Sequence, residues 1–306
     1  MITIVRLHSI LLLLFLCSCT HQQLTPSRVE TVTDSSQQQY HPGGQYYQFD
    51  KWAGKPLTVY YYLPEIVKPE TPILFVMHGQ GRDADRYLRQ WIPVAKSLRF
   101  ILVVPEFSNK KYPKSRSYNL GNMFTQQGKP IIREQWSFSA IEPLFDDIQA
   151  RTGNQSSQYN IYGHSAGAQF VHRFLYFEPD SRVNKAVSAN AGWYTMPSYG
   201  QIFPYGMQGT NTTKEHLKKT LAKSLTVLLG SNDTDSHHPS LRRTPAAKAQ
   251  GKHRFERGKN FYITGKNQAT LMGVKFGWSI NQVLGVAHDN GLMAAPAAKL
   301  LYQSKN

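Results

Sequence analysis

Tyr159-Asn160-Ile161-Tyr162-Gly163-His164-Ser165-Ala166-Gly167, residues 159–167, is the stretch that decides how this chain is read. Its first four residues are mostly aromatic or β-branched and predict a short strand, and Ala168 to Phe177 predict a helix. Between the two stands a Gly-x-Ser-x-Gly pattern. At a sharp strand-to-helix turn the central residue takes strained backbone angles, and only small neighbours such as Gly163 and Gly167 let the flanking segments pass closely. Such a turn lifts the Ser165 hydroxyl above the sheet edge. The helix N-terminus beneath it favours the negative charge of an acyl-transfer intermediate. In a chain with 22 glycines the bare pattern carries little weight, and the strand before it and helix after it supply the rest.

Outward from this turn, short apolar runs alternate with helical patterns, which predicts an α/β fold with a mainly parallel sheet covered by helices. Tyr46 to Phe49 and Leu57 to Leu63 predict an opening antiparallel pair. Ile73 to Met77 and Ile101 to Val104 are continuous apolar runs, as in strands buried on both faces, and Tyr87 to Leu98 predicts the helix between them. A helix is predicted over Ser139 to Gln149, with Ser139 and Glu142 spaced as a capping box. Strands at Ala186 to Asn190, Leu225 to Leu229 and Ser279 to Val286, and helices near Lys214 to Leu221 and Leu292 to Tyr302, complete the pattern.

A serine needs a base to take its proton, and the base needs a carboxylate to hold its tautomer. Strand 225–229 runs into Gly230-Ser231-Asn232-Asp233, so Asp233 is the expected acid, with Asp235 as the alternative two residues on. His288, in Gly285-Val286-Ala287-His288-Asp289 before the final helix, is the expected base. His253 lies in a basic stretch with no strand before it. His237 and His238 adjoin each other, yet no carboxylate or Cys pattern of ligand spacing accompanies them, so no metal or other cofactor is expected. The oxyanion donors expected are the backbone N–H groups of Ala166 and of Gln80, the latter in the turn Met77-His78-Gly79-Gln80-Gly81.

Near the start, Arg6 and His8 precede the apolar run Ile10 to Leu16, which ends in Leu16-Cys17-Ser18-Cys19. This predicts a signal peptide over 1–18 with Cys19 as a lipidated residue that anchors the chain to a membrane of the cell envelope; an ordinary cleaved signal and a secreted protein is the alternative. Thr20 at the next position points to the outer membrane. Residues 19–44, rich in Gln, Ser and Thr, predict a flexible tether to a folded domain over 45–306. Both cysteines of the chain fall in the first segment, so the domain has no disulfide, Cys nucleophile or Cys-based zinc site. Thirty-five Lys and Arg against 19 Asp and Glu give a formal charge of +16, which draws the protein toward anionic surroundings. The basic residues are dispersed, with denser patches only at Lys214 to Lys223 and Lys252 to Lys266, and no nucleic-acid module is visible, so no nucleic-acid partner is expected.

Met77-His78-Gly79-Gln80-Gly81-Arg82, Val104-Pro105-Glu106-Phe107, Tyr118-Asn119-Leu120-Gly121, residues 163–167 and Gly285-Val286-Ala287-His288-Asp289 together carry a likeness. From Leu57 to Tyr302 the chain resembles α/β-hydrolases, and within them the bacterial group related to polyhydroxybutyrate depolymerases and feruloyl esterases. The resemblance implies an eight-stranded core and the triad Ser165, Asp233 and His288. Secreted polymer-degrading members often carry disulfides and binding modules; their absence here argues for a small-molecule ester substrate. The expected function is therefore serine esterase chemistry through an acyl-enzyme. A peptidase or amidase would use the same groups, and a non-catalytic surface lipoprotein binding an anionic partner is the alternative from another class. By fold analogy Trp193 and Tyr194 are expected to line the substrate pocket, unless they pack beneath their loop. No insertion has the length and apolar character of a lipase lid, although the 194–213 and 234–250 connections could form partial covers.

Overall fold

The computed structural model describes residues 38–40 and 44–302. The expected signal peptide, the lipidation at Cys19 and most of the 19–44 tether lie outside the described residues. Gln38–Tyr40, counted in that tether, instead form a short edge strand, β1, paired antiparallel with β2, Gly44–Phe49. The remaining strands are β3 (Leu57–Tyr62), β4 (Ile73–Met77), β5 (Ile101–Glu106), β6 (Tyr159–His164), β7 (Val183–Ala189), β8 (Leu225–Gly230) and β9 (Ser279–Val283). They form one sheet in the order β1-β2-β3-β5-β4-β6-β7-β8-β9. From β5 across to β9 all neighbours run parallel, while β2, β3 and β5 pair antiparallel. Strands β2 to β9 are the expected eight-stranded core.

Side-chain alternation explains why the sheet is covered on both faces. Along β4, Ile73, Phe75 and Met77 enter one apolar cluster, and Leu74 and Val76 enter the other. The first face is covered by α2 (Ile141–Thr152), α3 (Ala166–Phe177), α4 (Lys214–Ala222) and α6 (Arg254–Leu271), through residues such as Leu144, Phe174, Leu217 and Phe261. The second is covered by α1 (Ala84–Leu98) and α7 (Asn290–Tyr302), through Leu88, Trp91, Met293 and Leu301. Each fully buried side chain of this size contributes roughly 1.5–3 kcal/mol. With no cysteine after Cys19, this packing carries the stability.

Three local expectations are corrected. Ser139 and Glu142 form no capping box: α2 starts at Ile141, Ser139 Oγ donates to the Arg133 carbonyl at 2.7 Å, and Glu142 holds Arg182 at 2.6 Å and the Tyr159 hydroxyl. Strand β9 ends at Val283 and not Val286, because Leu284 turns out to solvent and Gly285 takes φ +75°. Finally, α6 was not foreseen. Its inward positions are Arg254, Arg257, Gly258, Phe261, Gly265 and Ala269, which hold a single large apolar side chain.

Parallel register sets the site. Met77 pairs with Gly163 across β4 and β6, so the loops leaving these two strands emerge side by side at one sheet edge.

Candidate active site

Ser165 sits between β6 and α3 with φ +59° and ψ −112°, a conformation that costs a non-glycine residue roughly 1–3 kcal/mol. The surroundings over-determine it. Ser165 N–H donates to Ala189 O at 3.0 Å, and its carbonyl accepts from Gln169 N–H at 3.2 Å. A Cβ on Gly163 would lie 2.2 Å from Gly167 O, and a Cβ on Gly167 would lie 1.9 Å from Met77 O. Glycine at both positions is therefore a packing requirement of the turn.

His288 Nε2 lies 3.0 Å from Ser165 Oγ, and its Nδ1 lies 2.7 Å from Asp233 Oδ2. The carboxylate accepts from Nδ1–H, which leaves Nε2 as the acceptor facing the serine hydroxyl. Asp233 is almost fully buried, whereas Asp235 is exposed and accepts the His237 backbone N–H at 2.7 Å. The structure thus joins Ser165 and His288 to Asp233 and leaves Asp235 outside the chain of hydrogen bonds. Two loops hold this geometry by touching each other. Asn232 N–H donates to Val286 O at 2.9 Å, and a Cβ on Gly230 would meet that same oxygen at 2.5 Å. Asn190 clamps both, accepting from Gly230 N–H at 2.8 Å and donating to Ala287 O at 3.1 Å.

Arg254, inside the dense basic patch at 252–266, is buried against Asp233. Its Nη1 donates to Asp233 Oδ1 at 3.2 Å and its Nη2 to Ser240 Oγ at 2.8 Å. The second oxygen of Asp233 is thereby satisfied and the 234–240 loop is tied down. Its position 21 residues beyond Asp233, at the start of a helix with a sparse apolar face, left no sequence signal.

On the other wall, Gln80 follows β4 and lines the same cleft as Ser165. Ala166 is the first residue of α3, whose N–H no earlier turn of the helix accepts. His78, read only as a strand-end turn residue, anchors the Gln80 loop. Its Nδ1–H donates to Gly79 O at 3.1 Å, its Nε2 accepts Phe107 N–H at 3.0 Å, and its carbonyl accepts the Tyr118 hydroxyl at 2.8 Å. Arg82 braces the same turn, donating to Lys114 O at 2.9 Å with its guanidinium 4.3 Å above the Tyr118 ring.

Burial, helped by Arg82, pushes the His78 pKa down to about 3. Burial likewise holds His164 and His172 well below the usual imidazole value, with His288 adding to the effect on His164 and Arg173 to that on His172. These imidazoles are neutral when folded and take up protons once exposed. Their stabilising contribution is complete above about pH 6.5 and declines as pH falls below it, by about 1.4 kcal/mol per pH unit for each such histidine. We expect the melting temperature to drop steeply between pH 6.5 and 4, with His172→Gln flattening the decline; a flat profile would contradict the burial of these rings.

The cleft over Ser165 has a volume of about 470 Å³, and Gln80, Arg86, Ser240, His288 and Asn290 are among the residues that line it. Trp193 and Tyr194 are not part of it, which corrects the pocket expectation for both. Tyr194 is fully buried and stacks on Phe261 at 4.3 Å between ring centroids. Trp193 is 3% exposed, with the Arg173 and Arg242 guanidinium groups 4.3 and 4.8 Å from its ring. Both pack beneath their loop.

No protein-family model and no curated protein matches the chain. Among solved structures it is similar to poly(aspartic acid) hydrolase-1 from Sphingomonas sp. KT-1, at 47% identity and TM-score 0.84, over 86% of this chain and 99% of that one. It is also similar to a poly(3-hydroxybutyrate) depolymerase from Bordetella parapertussis, at 34% identity and TM-score 0.81, over 87% of this chain and 92% of that one. An S-formylglutathione hydrolase from Agrobacterium tumefaciens, 13% identical with TM-score 0.55 over 87% of this chain and 96% of that one, shares the fold.

Proposed function

The chain belongs to the α/β-hydrolase family that contains these two polymer hydrolases, and from that premise we propose that it is a serine hydrolase cleaving carboxylic esters through an acyl-enzyme. The observation that carries this reading is the unbroken hydrogen-bond chain from Ser165 Oγ through His288 to Asp233.

Ser165 Oγ attacks the carbonyl carbon as its proton passes to His288 Nε2, and Asp233 stabilises the imidazolium that forms. The oxyanion is received by the backbone N–H groups of Ala166 and Gln80, fixed in advance by the α3 N-terminus and by the His78 and Arg82 braces. His288 then gives its proton to the departing alkoxide, which leaves as the alcohol. Water, deprotonated by the same His288, releases the acid and restores the serine.

A second reading, amide cleavage, has a specific observation behind it: the 47%-identical relative is named a poly(aspartic acid) hydrolase, and this chain's formal charge of +16 suits an acidic substrate. The tetrahedral intermediate is common to both bond types. The two named polymer hydrolases also remove the force of the disulfide argument against a polymeric substrate.

A fluorophosphonate is expected to label the protein at one residue, and p-nitrophenyl ester hydrolysis is expected to fall steeply as the acyl chain lengthens, because no aliphatic side chain among the described residues lines the cleft to receive a long chain. Absence of labelling would reject the serine mechanism. A rate that rises with chain length and jumps at an oil-water interface would make the 194–213 or 234–250 connection a lid.

A further inference from the structure

Beside the cleft, on the far side of the loop that follows Asp233, lies a second cavity of about 420 Å³. Its wall includes Arg243, Lys248, Lys252 and Arg257, with no carboxylate. One loop serves both spaces: Ser240 lines the cleft, and Leu241 and Arg243 line the second cavity. Arg254, which holds Asp233, and Arg257 both lie in the first turn of α6.

Arg257 is fully buried, donating through Nε to Gly251 O at 2.9 Å and through Nη1 to Gly192 O at 2.6 Å. Its Nη2 has no hydrogen-bond partner among the described residues. None of the four cations forms an ion pair among the described residues. Two nearby carboxylates are engaged by backbone: Glu256 of α6 accepts Lys252 N–H at 2.7 Å and Asp235 accepts His237 N–H at 2.7 Å. A buried guanidinium with an unsatisfied N–H and no ion-paired carboxylate is disfavoured unless an anion comes close to it. Three exposed cations at the mouth would draw one in.

We propose that this cavity is a subsite for a carboxylate-bearing arm of the substrate, held beside the cleft while the scissile carbonyl lies over Ser165. The assignment rests on the hydrolase reading above. It explains why these four cations lack acidic partners, and it places an acidic chain across the loop that follows Asp233.

The test uses a short oligomer of acrylic acid, a non-hydrolysable polycarboxylate, bound to the Ser165→Ala protein in a calorimeter, so that no turnover is needed. Replacing Arg243, Lys248 and Lys252 together by Ala should weaken binding about tenfold or more. Lys248→Glu with Lys252→Glu, a second variant confined to exposed side chains, should weaken it further. A charge-matched control, Ala at Lys68, Lys96 and Arg99 at the opposite ends of the strands, should change it little. With the wild type, the oligomer should raise KM for p-nitrophenyl butyrate without lowering kcat. Equal weakening by both triple variants would reduce the effect to diffuse surface charge and overturn the proposal. Inorganic phosphate binding as tightly as the oligomer, without competition against the ester, would make the cavity a free-anion site and overturn it too. A wild type that binds the oligomer but turns over no ester would reject the hydrolase reading alone.

Discussion

Ser165→Ala is expected to lower hydrolysis of a soluble ester by about 10⁴- to 10⁶-fold and to abolish fluorophosphonate labelling. In the proposed mechanism Oγ forms the covalent bond, and among the described residues no other hydroxyl is hydrogen-bonded to His288 Nε2. The loss should appear in kcat with little change in KM, because the hydroxyl acts on the transition state and contributes little to holding the ester. The fold should survive. The turn is held by Gly163 and Gly167 and by the backbone bonds of Ser165, none of which uses the side chain. An unchanged melting temperature together with lost labelling separates loss of the nucleophile from unfolding. Labelling retained in this variant would move the nucleophile elsewhere.

Asp233→Asn is expected to lower kcat by about 10³- to 10⁴-fold, whereas Asp235→Asn should stay within about twofold of wild type. An amide at 233 can present N–H where His288 needs an acceptor, turning the imidazole toward the wrong tautomer. It also removes the charge that balances Arg254, which is 1% exposed. Breaking a buried pair by removing one partner costs about 3–5 kcal/mol, so this variant should melt lower as well. Asp235 meets only a backbone N–H at the surface. If steady-state kinetics gave the reverse ranking, the loop path around residues 233–235 would have to be redrawn.

The parts of the site that were readable in the sequence depend on local chemistry. A strand that is buried on both faces must be apolar at every position, so Ile73 to Met77 announces itself, and the glycines around Ser165 are demanded by atoms within a few residues or on the adjoining strand end. Helix α6 was hidden for the opposite reason. Gly258 and Gly265 bring its backbone against Leu229 and the Trp278 ring, where a Cβ would lie 2.4 and 2.5 Å from their atoms. A face built for close approach is made of small residues, and the anchoring positions Arg254 and Arg257 read as solvated charge. The pocket expectation for Trp193 and Tyr194 came from a loop's place in the fold, and burial over α3 and α6 took both aromatics inward.

By itself the sequence determined the class of fold, the strand-turn-helix around Ser165, and a histidine at 288 following the last strand, since each of these is a pattern of neighbours along the chain. Only the tertiary structure decided between Asp233 and Asp235, brought Arg254 to the acid, and set Gln80 across the cleft from His288. Those outcomes turn on long-range contacts: Gly230 passing against Val286, Asn190 clamping two loops, and Met77 in register with Gly163. A shift of two residues in a loop leaves composition and periodicity unchanged, yet it decides which carboxylate is buried beside the imidazole and which remains in water.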